Sequence, residues 1–413
     1  VMSAPESGVL SHLYFGPRLT TDRDYGHFLR RSYTTRFNQV QDPLPRELPS
    51  VGRGDFRVPG IGVRHPDGSS VLEFGYQDHV ISAGKPHLDG LPSTYVDDAS
   101  EAESVEVALL DRHSGLEVRL LLTVYADRPV ITRSMRVVNG GTDPVQLTTA
   151  MSAVLDLPDD DWHLLQLAGE WARETQVVDA PLVRGTRALR SQRGSSGHQQ
   201  NPFILLRRPS TTEASGEAIG LSLVYSGNYL AEVEVDAFDT VRARIGMDPE
   251  SISWRIEPGM DLQIPESVLV WSDEGLGGVS DAYHRLYRER LTTGTWRDRP
   301  RPVLLNSWES VYFDFDEDAL VEMAAATRDL GAELFVLDDG WVGQRDSDDS
   351  SLGDWTVDLR KLPSGLPDLV SRVKDLGLLF GIWIEPEMVS PRSRLFDQHP
   401  EWAVGISGRP RSE

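Results

Sequence analysis

Three short apolar runs, each finishing in an indole and an acid, constrain this chain more than any other feature. Leu334 to Trp341 reads Leu-Phe-Val-Leu-Asp-Asp-Gly-Trp, Val303 to Trp308 with Glu309 precedes it, and Leu378 to Glu385 follows. A buried parallel strand reads as a continuous apolar run, and in a (β/α)8 barrel the polar residues at its C-terminal end face the active site. Helical patterns lie between the runs. Asp316, Glu317 and Asp318 supply a cap and negative charge for a helix dipole, and Leu320, Met323, Ala324, Thr327 and Leu330 fall on one face before Gly331 ends it. Leu366, Leu369, Val370, Val373 and Leu376 repeat that spacing before Gly377. The order strand, helix, strand, helix, strand predicts parallel α/β architecture.

Upstream, from about Gly8 to Ser272, the pattern changes to short β segments separated by turn chemistry. Val105 to Leu110 and Leu116 to Tyr125 flank Asp111 to Gly115 as a hairpin, and Val130 to Val138 and Ala218 to Tyr225 each run into a Gly-containing turn. A large antiparallel sandwich is expected there. Tyr283, Leu286, Tyr287 and Leu291 share a helical face, and Thr292 to Pro302 reads as a linker. The 413 residues are therefore expected to form a multidomain chain of class β plus α/β, with a sandwich over 1–299 and the first part of a barrel over 300–413. Three strands cannot close a barrel, so the chain is read as the N-terminal portion of a longer protein.

A net charge of -23 and a pI near 4.8 exclude nucleic acid and anionic membrane surfaces as partners, because both need clustered cations. The expected ligand is neutral. With no cysteine there is no disulfide, thiolate metal site or cysteine nucleophile. The first residues show no basic stretch before a long apolar core, and no apolar run reaches the length of a membrane span, so a soluble cytoplasmic protein is expected. Only Lys85, Lys361 and Lys374 are lysines among 41 basic residues, a compositional bias that carries no functional reading.

Asp338, Asp339, Trp308 and Trp383 are the candidate binding residues. Carboxylates accept hydrogen bonds from sugar hydroxyls, and indoles cover the apolar C–H face of a sugar ring. The same Asp pair also suits a magnesium or calcium ion, and either tryptophan also suits plain core packing. Glu385 and Glu387 can be read as the two carboxyls of a retaining glycosidase, or as loop acids paired with Arg392 or Arg394. His198 offers a base, or a hydrogen-bonded loop histidine.

Several motifs together resemble the bacterial α-galactosidases of glycoside hydrolase family 36. Asn306-Ser307-Trp308-Glu309 with Tyr312-Phe313-Asp314, Leu337-Asp338-Asp339-Gly340-Trp341, and Gly381-Ile382-Trp383-Ile384-Glu385-Pro386-Glu387-Met388-Val389 look like that family's first three barrel strands. Gly54-Asp55-Phe56-Arg57, Gly84-Lys85-Pro86, Gly90-Leu91-Pro92-Ser93-Thr94-Tyr95 and Ser195 to Phe203 look like its N-terminal β-supersandwich. The resemblance implies retaining hydrolysis of terminal α-linked galactose from oligosaccharides such as melibiose and raffinose, without metal or organic cofactor, by a homo-oligomer, in some relatives a tetramer. It further implies that Asp338 and Asp339 hold the O4 and O6 hydroxyls, that Trp308 and Trp383 wall the −1 pocket, and that Asp55 reaches a neighbouring subunit's substrate. The family's nucleophile stands in a Lys-Trp-Asp triple that these residues lack, and its acid/base lies later still, so no catalytic residue is assigned. An α-N-acetylgalactosaminidase, a raffinose-synthase-like galactosyltransferase and a non-catalytic carbohydrate-binding fragment are the alternatives.

Overall fold

The computed structural model describes residues 2–3, 8–19, 25, 28, 44–52 and 54–409. They fall into two compact units, Val1–Arg297 and Asp298–Glu413.

The first unit is antiparallel throughout its named strand pairs. The larger sheet runs from Arg173–Pro181 through His163–Glu170, Gln200–Arg207, Ala218–Val224, Glu266–Ser272, Val130–Asn139, Leu116–Tyr125 and Ala102–Asp111 to Phe74–Ala83. The smaller is ordered Gly185–Ser191, Tyr229–Val235, Val241–Met247, Val145–Leu157 and Trp254–Ile256. Alternating side chains from the two sheets meet in two cores: one joins Leu155 and Ile245 to Leu164, Ile204 and Leu221, the other joins Ile61 and Leu147 to Val118, Leu120 and Val137. A sandwich results. Its first hairpin forms where the sequence predicts, because Gly115 at φ +75° closes the turn and donates to the Asp111 carbonyl at 2.9 Å.

The helix Gly275–Arg290 lays Val279, Ala282, Tyr283 and Leu286 against Ala218, Val268 and Val270 of the larger sheet. It starts eight residues before Tyr283, the first residue of the periodic face. The opening Gly-Leu-Gly-Gly carries almost no side-chain pattern, and its amides are satisfied instead by Gly216, Thr212 and Glu213 carbonyls at 2.8–3.0 Å.

In the second unit the three apolar runs form parallel strands Leu304–Asn306, Leu334–Leu337 and Leu379–Ile382, adjacent in that order. The helices between them are Glu317–Asp329, capped by Asp316, and Leu366–Asp375. Leu320, Phe335, Leu369 and Val373 are fully buried between helices and sheet, each contributing about 1.5–3 kcal/mol of apolar burial at most. The first strand is shorter than its apolar run: Trp308–Val311 is a helical turn rather than a strand end, because the Asn306 side chain accepts the Trp308 amide at 2.8 Å and turns the chain. No helix among the described residues is long and apolar enough to cross a membrane.

Candidate active site

Strand register brings Asp338 and Trp383 to one level. Asn306 pairs with Val336 and Val336 with Gly381, while Leu337 pairs with Ile382. One step further, Asp338 stands beside Trp383; two residues beyond Asn306, Trp308 opens the helical turn that leaves the first strand. Three of the four expected residues therefore share the C-terminal rim of the sheet, and Asp339 follows directly.

Side-chain bonds then stitch the strand ends together. Asn306 Nδ2 donates to Asp338 Oδ2, and the Asp338 amide donates to Ser307 Oγ at 3.0 Å. Asp338 Oδ1 accepts the Asp339 amide at 2.8 Å. Asp339 Oδ1 accepts two donors, the Gly340 amide and Arg345 Nε, both at 2.6 Å. Gly340 is required here: its φ is +99°, and an added Cβ would stand 3.0 Å from the Phe315 ring and 3.2 Å from that of Phe313. Lys361, the buried cation of the next loop, donates to the carbonyls of Phe313, Gly340 and Arg345 at 2.7, 3.0 and 3.0 Å. One ammonium thus ties together the loops that follow the first two strands.

The indoles divide by environment. Trp341 lies in the core and donates Nε1 to the Trp383 carbonyl at 3.0 Å. Trp308 and Trp383 remain half-buried rather than core residues. Trp308 meets the rings of Tyr312 and Phe313 edge-on, with centroids 5.1 and 5.0 Å away. Trp355 bridges Trp341 and Trp383 at 6.3 and 6.2 Å. Tyr312 sits at φ +49°, a left-handed conformation that costs energy for a bulky residue and marks a shaped site.

Glu385 is half-buried, and its carboxyl is raised above the usual range by burial, then by Glu387 and Asp339, with Arg345 opposing. The expected partners of this acid loop are corrected: Arg392 pairs with Asp349 at 2.7 Å, and Arg394 bonds Thr356 Oγ1 at 3.3 Å. As for a cation at the Asp pair, the charge beside Asp339 is the Arg345 guanidinium, and among the described residues no group of three or more His, Cys, Asp or Glu stands close enough to hold a metal ion.

Asp55, expected to reach a neighbouring subunit's substrate, is described within its own unit. It belongs to the first unit, its side chain 1% exposed, bonded by Arg57 and Arg242 at 3.0 Å each with Arg46 at 3.6 Å. Burial would raise its carboxyl, but Arg242 and Arg57 hold it below the ordinary range. Its oxygens are occupied by guanidinium groups, which makes it a structural anchor within this chain. His198 Nε2 bonds the adjacent Gln199 side chain at 3.1 Å, as a loop histidine does. Asn306, Arg345, Trp355 and Lys361 are site residues that sequence patterning missed. Only the placing of Asn306 and Arg345 close to the strand-end motifs could have signalled them.

The profile described as the glycosyl hydrolase family 36 N-terminal domain matches residues 8–257. The chain belongs to glycosyl hydrolase family 36. The profile described as melibiase matches residues 261–413. Among relatives of this family 36 chain, α-galactosidase AgaA of Geobacillus stearothermophilus is 47% identical over all of it, and α-galactosidase Mel36A of Lactobacillus acidophilus is 42% identical over 99% of it. The chain spans 58% and 57% of those two proteins. A crystal structure of an AgaA variant in complex with raffinose superposes with a TM-score of 0.97 at 46% identity, covering 100% of this chain and 58% of that one.

Proposed function

We propose that this family 36 protein is a retaining α-galactosidase acting on terminal α-linked galactose in oligosaccharides such as raffinose and melibiose. The observation that carries the reading is that Asp338 and Trp383 follow the ends of adjacent parallel strands at matching register, with Asp339 next in sequence and Trp308 at the head of the turn that leaves the first strand. The relatives' names and the raffinose-bound variant support the same substrate class. In this reading the parallel strands are the first three of a (β/α)8 barrel, preceded by a β-supersandwich over 1–299.

The geometry supports these roles. Asp339 offers Oδ2 to a hydroxyl, since the donors it already accepts are on Oδ1. Asp338 is held by Asn306 and Ser307 at a rigid strand end, where a fixed acceptor selects one hydroxyl configuration. Trp308 and Trp383 present half-buried indoles to the C–H faces of the ring. The nucleophile and acid/base carboxyls of a retaining enzyme stand about 5 to 5.5 Å apart. In this reading no residue of this chain is assigned either role, and the residues described here bind and orient the sugar. A homo-oligomeric assembly, tetrameric as the resemblance implies, is part of the reading.

The test is cleavage of nitrophenyl α-galactoside by the full-length protein. Asp338→Ala and Asp339→Ala should each lower kcat/KM by about 10- to 100-fold, the effect of leaving a buried hydroxyl without its charged acceptor. Unchanged kinetics in both variants would remove them from the site. Preference for the α-N-acetylgalactosaminide, or longer oligosaccharides in place of free galactose, would replace hydrolysis of galactosides by one of the neighbouring activities.

A further inference from the structure

Arg345 is only 3% exposed, an unusual burial for a permanent cation. Its contacts divide between the two ends of the guanidinium. Nε donates to Asp339 Oδ1 at 2.6 Å, while Nη1 donates to the carbonyls of Ser347, Asp348 and Ser350 at 3.3, 2.9 and 2.8 Å. The group also stands 5.5 Å from the Phe313 ring centroid, and the Arg345 backbone carbonyl is held by Lys361. A planar fork pinned at its far end by three carbonyls cannot follow Asp339 if that carboxylate turns. With the Gly340 amide on the same oxygen, the carboxylate has one orientation.

We propose that Arg345 is a positioning residue for sugar recognition: by holding Asp339 through Oδ1 it fixes Oδ2 toward one substrate hydroxyl. The inference rests on the sugar-binding reading of this site. It adds a residue that touches no substrate and acts through another. The same cation counters the negative charge that Glu385, Glu387 and Asp339 bring to the site, and it is the group that opposes the upward shift of the Glu385 carboxyl. Lysine is no substitute, because a single ammonium reaches either the carboxylate or the loop carbonyls but not both in this geometry.

The experiment compares nitrophenyl α-galactoside with its 4-deoxy and 6-deoxy analogues on the full-length protein and its Arg345→Lys variant. In the unaltered protein, loss of the hydroxyl held by Asp339 should lower kcat/KM by about tenfold or more. In Arg345→Lys that penalty should shrink at least about threefold for one analogue only, a change in discrimination that general loosening does not produce. In an Asp339→Asn background, Arg345→Lys should add less than about a twofold further loss. Arg345→Gln, which keeps amide donors for the loop carbonyls, replaces the lysine variant if that one fails to fold. Deoxy penalties unchanged in a folded variant, or losses that multiply independently in the double variant, would overturn the role. No cleavage of the parent galactoside by the unaltered protein would instead remove the proposed function and this role with it.

Discussion

The two units use buried charge for opposite ends. In the first, cations pair with carboxylates inside the sandwich: Arg242, fully buried, lies between Asp55 at 3.0 Å and Asp156 at 2.7 Å, and Lys85 meets Glu266 at 2.6 Å. In the second, Arg345 and Lys361 spend most of their hydrogen bonds on loop carbonyls at the strand ends. Charge pairs lock sheets together where no ligand enters; cation-to-carbonyl bonds shape loops while leaving a carboxylate oxygen free to receive one.

The sharpest way to break that comparison is Arg242→Met. If the first unit depends on compensated internal charge, the substitution removes the nearest cation from Asp156 and one of the two that hydrogen-bond Asp55, leaving Arg57 to serve both carboxylates, and should cost about 3 kcal/mol. Denaturant unfolding followed by hydrogen exchange should show the loss in sandwich amides. A midpoint within about 0.5 kcal/mol of the unaltered protein would mean that the ion pairs are ornamental there.

The same contrast explains what sequence could and could not show. Parallel strands and their helices were legible because apolar runs and a 3.6-residue face are local signals, and the site's carboxylates and indoles were legible because they end those runs. The buried ion pairing of Asp55 left no local signal, because its partner Arg242 lies 187 residues away and only folding brings the two together. Arg345 and Lys361 left no pattern, since their partners are backbone carbonyls that every residue carries and that tertiary loops alone bring together. The helical turn at Trp308 was hidden because the run that precedes it reads as one strand up to its indole.

Acid sharpens the contrast further. Burial would raise the Glu47 carboxyl, but Arg133 and His12 outweigh it and bring it down to about 2. A carboxylate depressed on folding contributes stability that is present above its unfolded range near 4.5 and lost as pH falls toward 2. The first unit should therefore lose on the order of 2–3 kcal/mol across that interval, and Glu47→Gln should flatten the slope. Glu385 in the second unit works with the opposite sign: its raised carboxyl lets stability fall as pH rises out of the ordinary carboxylate range, so acid favours it. Thermal unfolding of the unaltered protein, Glu47→Gln and Glu385→Gln from about pH 6 down to about pH 2 checks both slopes, and equal slopes with and without Glu47 would exclude it as the acid-sensitive group.

The smallest expected effect asks whether the second unit stands on its own local bonds. Asp316 Oδ1 accepts the Ala319 amide at 2.9 Å at the head of the helix Glu317–Asp329. The neighbouring acids cannot replace it, because Glu317 is engaged by Ser364 and Arg372, and Asp318 by Arg372. Asp316→Ala should therefore cost about 1 kcal/mol, confined to that helix and the parallel sheet it covers. Hydrogen exchange reads this directly: protection should fall in Leu320–Thr327 and Leu334–Leu337 while the strands Val130–Asn139 and Glu266–Ser272 keep theirs. An equal loss of protection in both sets would show that the two units open as a single cooperative body, and the difference drawn between their charge arrangements would then have no separate energetic meaning.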